Sequence, residues 1–176
     1  MTLKSIITQT ALASLLISFP VISLLNVDSA PTQARQISTK NLRTKLFSLR
    51  YPANWLTISR SDEYVIFSNQ PLGREGGAAP KSMVKTDVGV IEGNFTTLVS
   101  EHQKQGIVKS KKITINGREA IRFWDRNNLE DFQRGIFTYV RYTKNKVGFV
   151  ATYYSDTPPI SEAEIEQIQS SFRILK

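Results

Sequence analysis

The stretch Arg134-Gly135-Ile136-Phe137-Thr138-Tyr139-Val140-Arg141-Tyr142-Thr143, its link Lys144-Asn145-Lys146, and the return Val147-Gly148-Phe149-Val150-Ala151-Thr152-Tyr153-Tyr154-Ser155 decide the fold. Two runs of β-branched and aromatic residues around a short polar link read as a hairpin. Both faces of each run are apolar. Ile136 and Val140 oppose Phe137 and Tyr139, and Phe149 and Tyr153 oppose Val150 and Tyr154. A strand that is apolar on both sides is covered on both sides. The hairpin therefore predicts a sheet with helices on both faces, or with a helix on one face and a long loop on the other.

The flanking sequence supplies more strands. Phe47, Leu49 and Tyr51 alternate with Ser48 and Arg50, which gives a half-buried strand ended by Pro52. Further strands are expected from Trp55 to Ile58, from Tyr64 to Ser68 and from Val84 to Glu92. Ile113-Thr114-Ile115-Asn116-Gly117-Arg118 marks a second hairpin, because Asn-Gly favours tight turns. A two-residue turn sets Ile113 opposite Ala120 and Ile115 opposite Arg118. A three-residue loop puts Ile113, Ile121 and Phe123 on one face, and the rule that register follows the buried face favours it.

Two helices are expected. Asn94 is a good N-cap, and Phe95, Leu98, Val99 and His102 recur on one helical face, with Gly106 as the stop. Ser161 and Glu164 form a capping box, with Ile160 and Ile165 at the staple positions and Ile165, Ile168 and Phe172 as the buried stripe. Glu162, Glu164 and Glu166 suit the positive end of that helix and need no metal to explain them. The fold class is α+β, a largely antiparallel sheet flanked by helices.

The remainder of the 176 residues sets the organisation. Residues 1–34 read as a leader: Lys4, then the uncharged run Ala11–Leu25, then a small-residue exit at Ala30 or, better, Ala34. The alternative is an uncleaved anchor, since Ile6–Leu25 approaches the ~20 residues that span a bilayer. Residues 35–45 read as a polar, basic tether, and 46–176 as one domain. About 140 residues bury enough surface to be stable without staples, so the absence of cysteine suits an exported chain. Gln70–Lys81 reads as a mobile loop whose three glycines do not match a phosphate loop.

Composition excludes disulfides, zinc–thiolate sites, iron–sulfur clusters and cysteine nucleophiles, and leaves one imidazole, His102. That histidine is expected at the boundary of an apolar helix face; Glu101 beside it points elsewhere. No catalytic residue and no cofactor site is assigned. Asp125, Glu130 and Asp131, near Asn127 and Asn128, are oxygen donors of the type that suits calcium. They lack EF-hand spacing and are also ordinary loop formers. The net charge is +8, and losing the leader removes one lysine and one aspartate, which leaves it unchanged. An exported basic chain is directed to acidic protein faces or anionic lipid, not to nucleic acid. Lys104, Lys109, Lys111, Lys112, Arg118 and Arg122 form the candidate docking face. The alternative for them is a solvated lysine-rich edge that guards the sheet.

The segment Phe47-Ser48-Leu49-Arg50-Tyr51-Pro52-Ala53-Asn54-Trp55 resembles the opening strand, Tyr-Pro turn and tryptophan of the PsbP/Mog1-like family. The similarity continues through Val65-Ile66-Phe67-Ser68, the helix after Asn94, the Asn116-Gly117-Arg118 turn and Ser171-Phe172-Arg173-Ile174. It implies an α/β/α sandwich and a non-enzymatic extrinsic protein. PsbP-like members sit on the lumenal side of thylakoid membranes, support photosystem II or its assembly, and are linked to calcium and chloride retention. Calcium enters here through the resemblance. Mog1-like members act on a nuclear GTPase, which an export signal excludes. The chain departs from cyanobacterial lipoprotein members in having no cysteine. The expected object is a monomer in the thylakoid lumen or periplasm, peripherally associated with the acidic lumenal face of a membrane complex. Two further readings are a free periplasmic module binding a small apolar or anionic ligand through Trp55, Trp124, Tyr139 and Tyr153, and a hydrolase, which a single histidine disfavours.

Overall fold

Alternation in the strands and the 3.6-residue period in the helices sort the apolar side chains into two groups, one on each face of a large sheet. The structure, a computed structural model, describes residues 38–72, 79–105, 107–126 and 132–175. The expected leader (1–34), residues 73–78 of the glycine-rich loop, Gly106, Asn127, Asn128, Glu130 and Asp131 lie outside the described residues.

Ten strands and two helices follow in the order β1 (Thr39–Arg43), β2 (Phe47–Pro52), β3 (Leu56–Arg60), β4 (Tyr64–Ser68), β5 (Val84–Glu92), α1 (Phe95–Gln103), β6 (Lys109–Ile115), β7 (Arg118–Asp125), β8 (Arg134–Arg141), β9 (Lys146–Tyr154), α2 (Glu162–Ser170) and β10 (Arg173–Ile174). Seven strands form an antiparallel sheet ordered β3-β4-β5-β9-β8-β7-β6, and β1-β2-β10 form a second, smaller one. The fold is α+β, as the periodicity requires.

The central hairpin behaves as its two apolar faces demand. Ile136, Val140, Val150 and Tyr154 join the larger core with Ile165, Ile168 and Phe172 from α2 and its exit, and with Phe47, Leu49 and Tyr51 from β2. Phe137, Ala151, Ile121 and Phe123 join the other core, under Phe95 of α1. Gly148 is required where the chain has no room for a side chain: a Cβ there would stand 2.7 Å from the Phe172 ring.

Four sequence expectations are corrected. Residues 35–45 were expected to form a tether, yet Thr39–Arg43 pair with β2, and Leu42 is buried in the core. One apolar residue among polar neighbours suffices, because an edge strand needs only one buried position. The Asn116-Gly117 turn has two residues, with Ile113 opposite Ala120 and Ile115 opposite Arg118. Asn116 and Gly117 both have positive φ, 50° and 75°, the type I′ geometry that matches strand twist. The three-residue expectation assumed that Ile113 and Ile121 share a core. Each lies on a different face, and each face has its own core. His102 and Arg122 are the other two corrections and belong to the site below.

Both helix starts agree with the sequence. The Asn94 side chain accepts from the amides of Thr96 and Thr97. The Ser161–Glu164 capping box is complete. α2 is also held by polar groups. The Thr138 hydroxyl donates to Gln169 Oε1 (2.7 Å), and Gln169 Nε2 donates to the Ile136 carbonyl (2.7 Å) and to the Thr152 hydroxyl (3.1 Å). No helix among the described residues is long and apolar enough to cross a membrane.

Candidate docking surface

The edge strand β6 carries the sequence KSKKITI. Its pairing with β7 places Lys109 and Lys111 on the α2 face of the sheet, and Ser110 and Lys112 on the α1 face. All four are exposed. Lys109 Nζ rests 4.4 Å from the centroid of the half-buried Trp124 ring, and Lys104, the C-cap of α1, is exposed on the α1 side. Several basic groups elsewhere have acids: Lys45 with Asp62, Arg134 with Asp156 and Glu162, Arg141 with Glu119, and Lys146 with Glu92, while the exposed Lys40, Arg50 and Lys144 have none among the described residues. No carboxylate pairs with Lys104, Lys109, Lys111 or Lys112 among the described residues.

The two arginines of the expected docking face are otherwise engaged. Arg118 is half-buried, donates to the Tyr142 carbonyl (2.9 Å) and lies over the Tyr142 ring. Arg122 is corrected outright: it is 4% exposed and its guanidinium points under α2. Its Nε donates to the Thr138 hydroxyl (3.0 Å), Nη1 to Glu166 Oε2 (2.9 Å) and Nη2 to the Ser170 hydroxyl (3.1 Å). Burial lowers its pKa, and the Glu166 carboxylate opposes that shift. Arg122 shares its face of β7 with Ala120 and Trp124, which is the signal that could have placed it inside.

His102 is buried, not at a boundary. Its ring stacks on Phe123 at 4.5 Å, its Nε2 lies 3.0 Å from Asp125 Oδ2, and its Nδ1 lies 3.2 Å from the Tyr139 hydroxyl. A carboxylate only accepts, so Nε2 donates to it; in the neutral ring Nδ1 then accepts from Tyr139. The signal was present in the sequence, because His102 continues the face of Phe95 by two turns. Its carboxylate comes from β7 and not from the helix, which local spacing does not reveal.

An Asp–His pair forms two-thirds of a hydrolytic triad, but the third position needs an activated nucleophile in a cleft. Here it holds Tyr139, whose pKa is pushed up to about 12, first by burial and then by the Asp125 charge. That is the wrong direction for a nucleophile. Of the candidate calcium ligands, Asp125 alone lies among the described residues. Asp125 gives one oxygen to His102, and its other oxygen has no partner among the described residues. The His102 ring that Asp125 bonds is itself packed against Phe123 and Phe137. No cluster of three or more potential ligands occurs among the described residues.

The aromatic residues expected to line a small-ligand site do not share one cavity. Trp55 is core. Tyr139 and Tyr153 line a cavity of 160 Å³, below the roughly 300 Å³ at which small-molecule sites begin. A larger groove of 420 Å³ lies at the start of α2, but its charges bond one another: Arg134 with Asp156 and Glu162, and Tyr154 with Glu162.

Fold and surface together define an α+β protein whose sheet ends in an exposed, lysine-bearing edge. The solved structures similar to this chain include a protein of Bacteroides thetaiotaomicron VPI-5482, at TM-score 0.48 and 13% identity over 77% of this chain and 50% of that one. They also include the cyanobacterial PsbP (CyanoP) of Synechocystis sp. PCC 6803, at TM-score 0.45 and 12% identity over 91% of this chain and 99% of that one. The chain thus spans half the length of the Bacteroides structure. No family model and no curated protein matches the sequence.

Proposed function

We propose that this chain is an exported, non-enzymatic accessory protein that docks through basic groups on the acidic lumenal face of a thylakoid membrane complex related to photosystem II. The observation that carries the docking is the clustering of three exposed lysines, Lys109, Lys111 and Lys112, on one edge strand, with Lys104 exposed on the α1 side and no carboxylate partner for any of the four among the described residues. Charge of one sign on an exposed rim governs encounter and register with a partner of the opposite sign. The choice of complex rests on the sequence resemblance that begins at Phe47–Trp55 and runs to Ile174. The non-enzymatic reading is supported by the tyrosine that occupies the third position of the His102 pair.

The test is fractionation of the source cells with an antibody to this chain, washing the membranes first at low and then at high salt. Recovery on thylakoid membranes with release by high salt is expected, because screening shortens the reach of exposed charges to about 3 Å at molar salt. Recovery wholly in the soluble periplasm would overturn the membrane assignment.

A further inference from the structure

We propose that the outer edge of β6 is a strand-addition site, and that its occupant is an extended acidic segment of a partner, bound as an eighth strand of the sheet. The inference rests on the docking reading above and adds to it a backbone ladder. Three observations carry it.

The first is the state of the edge. β6 ends the seven-stranded sheet. Its seven residues pair with β7 in unbroken register, Lys109 opposite Trp124 through Ile115 opposite Arg118. The opposite edge strand, β3, is interrupted by a register shift between Thr57 and Ser59. Bulges of that kind blunt an edge, and an unbroken ladder leaves it open to another strand.

The second is the direction of the backbone groups. The two-residue turn makes Ile115 and Arg118 the closing hydrogen-bonded pair, and such pairs then alternate along the hairpin. Ile113, Lys111 and Lys109 therefore bond inward to β7. The N–H and C=O groups of Ser110, Lys112 and Thr114 face outward, and all three residues are exposed. A strand laid against them gains main-chain hydrogen bonds, the physics of strand-addition recognition.

The third is charge. Lys109 and Lys111 flank the edge on one face and Lys112 on the other, and β6 contains no carboxylate. Lysines on an edge deter pairing with a second copy of the same strand, because like charges oppose each other across the new ladder. The same one-sign edge attracts a strand bearing carboxylates. Carboxylates at alternate residues of such a strand face Lys109 and Lys111, and the intervening residue lies beside Lys112. The edge thus selects against its own copy and for an acidic extended segment.

The test uses the full chain and a capped peptide of alternating Glu and Thr, about eight residues long to match a strand, with a fully N-methylated counterpart of the same charge. The N-methylated peptide is expected to bind at least about tenfold more weakly. Saturation with the parent peptide should slow amide exchange at Ser110, Lys112 and Thr114. Ser110→Pro removes one outward donor without changing charge or the inward ladder; it should weaken binding of the parent peptide and leave its salt dependence unchanged. Equal binding of the two peptides, with no amide protection, would overturn the ladder and leave docking by charge alone standing. Binding of neither peptide would also overturn it. A membrane-free protein that still prefers the unmethylated peptide would overturn the membrane assignment and support the edge.

Discussion

At His102, one side chain fills space against Phe123, donates to Asp125 and, as the neutral ring, accepts from Tyr139. Truncation to alanine removes all three contacts and leaves a buried carboxylate without its donor. Cavity formation and an unmet buried acceptor each cost a few kcal/mol, so His102→Ala should lower stability by about 3 kcal/mol. Chemical denaturation gives that number. Below the melting temperature of the variant, salt-released membrane association should stay at the wild-type level. An unchanged denaturation midpoint combined with lost association would make His102 a functional group instead. Tyr139 adds a pH dependence. Its folded value of about 12 stands above the ordinary 10, so the native state holds the proton more tightly than the unfolded chain. The stability it contributes is fully present below pH 10 and is lost as pH rises through 12. Tyr154, raised in the same direction by burial and by Glu162, shares that alkaline limb. Tyr139→Phe should therefore flatten, and not abolish, the fall in urea midpoint between pH 10 and 12.

Among the elements, α2 depends on a charge that comes from the sheet. Arg122 reaches from β7 to Glu166 and Ser170 while bonding Thr138 beside it. Glu166 is 40% exposed and stays hydrated without its partner, but Arg122→Ala empties a buried site and removes the donors to Thr138 and Ser170, so it should cost about 2 kcal/mol. Calorimetry should show a lower transition, and peptide or membrane binding of the folded fraction should be unaltered. A docking defect at unchanged stability would return Arg122 to the binding face. Arg122 also shows where sequence reading stopped. Elements were legible wherever one local signal sufficed: alternation in β2, the Asn94 cap, the Ser161–Glu164 box and the double-faced 134–155 hairpin. The site was less so. Lys109, Lys111 and Lys112 lie on an edge strand, which charge alone indicated. The burial of Arg122 and the His102–Asp125 pair depend on which strand lies under which helix. The Asn116-Gly117 register failed for a related reason: a rule for one buried face was applied to a strand with two.

For the whole molecule, net charge and local patch are separable causes of membrane association. The net charge of +8 acts on any anionic surface. The patch acts over a short range, since Lys109 to Lys112 spans only about 10 Å of strand, comparable to the Debye length of 8–10 Å near physiological salt. Three charges within one screening length are felt by a partner as a unit. Reversal to glutamate at Lys109, Lys111 and Lys112 should weaken rebinding to salt-stripped thylakoid membranes by about tenfold or more, since each exposed pair contributes roughly 0.2–1 kcal/mol and each reversal adds repulsion. It should also reduce the salt dependence of what binding is left. The thermal transition should hold, because none of the three makes an ion pair within the described residues. Reversal at Lys40, Arg50 and Lys144 changes the net charge by the same amount at exposed positions away from β6. That second variant should rebind nearly as the unaltered protein does. Equal weakening of both variants would assign the association to net charge, and the lysines of β6 would then serve only to keep the edge of the sheet unpaired.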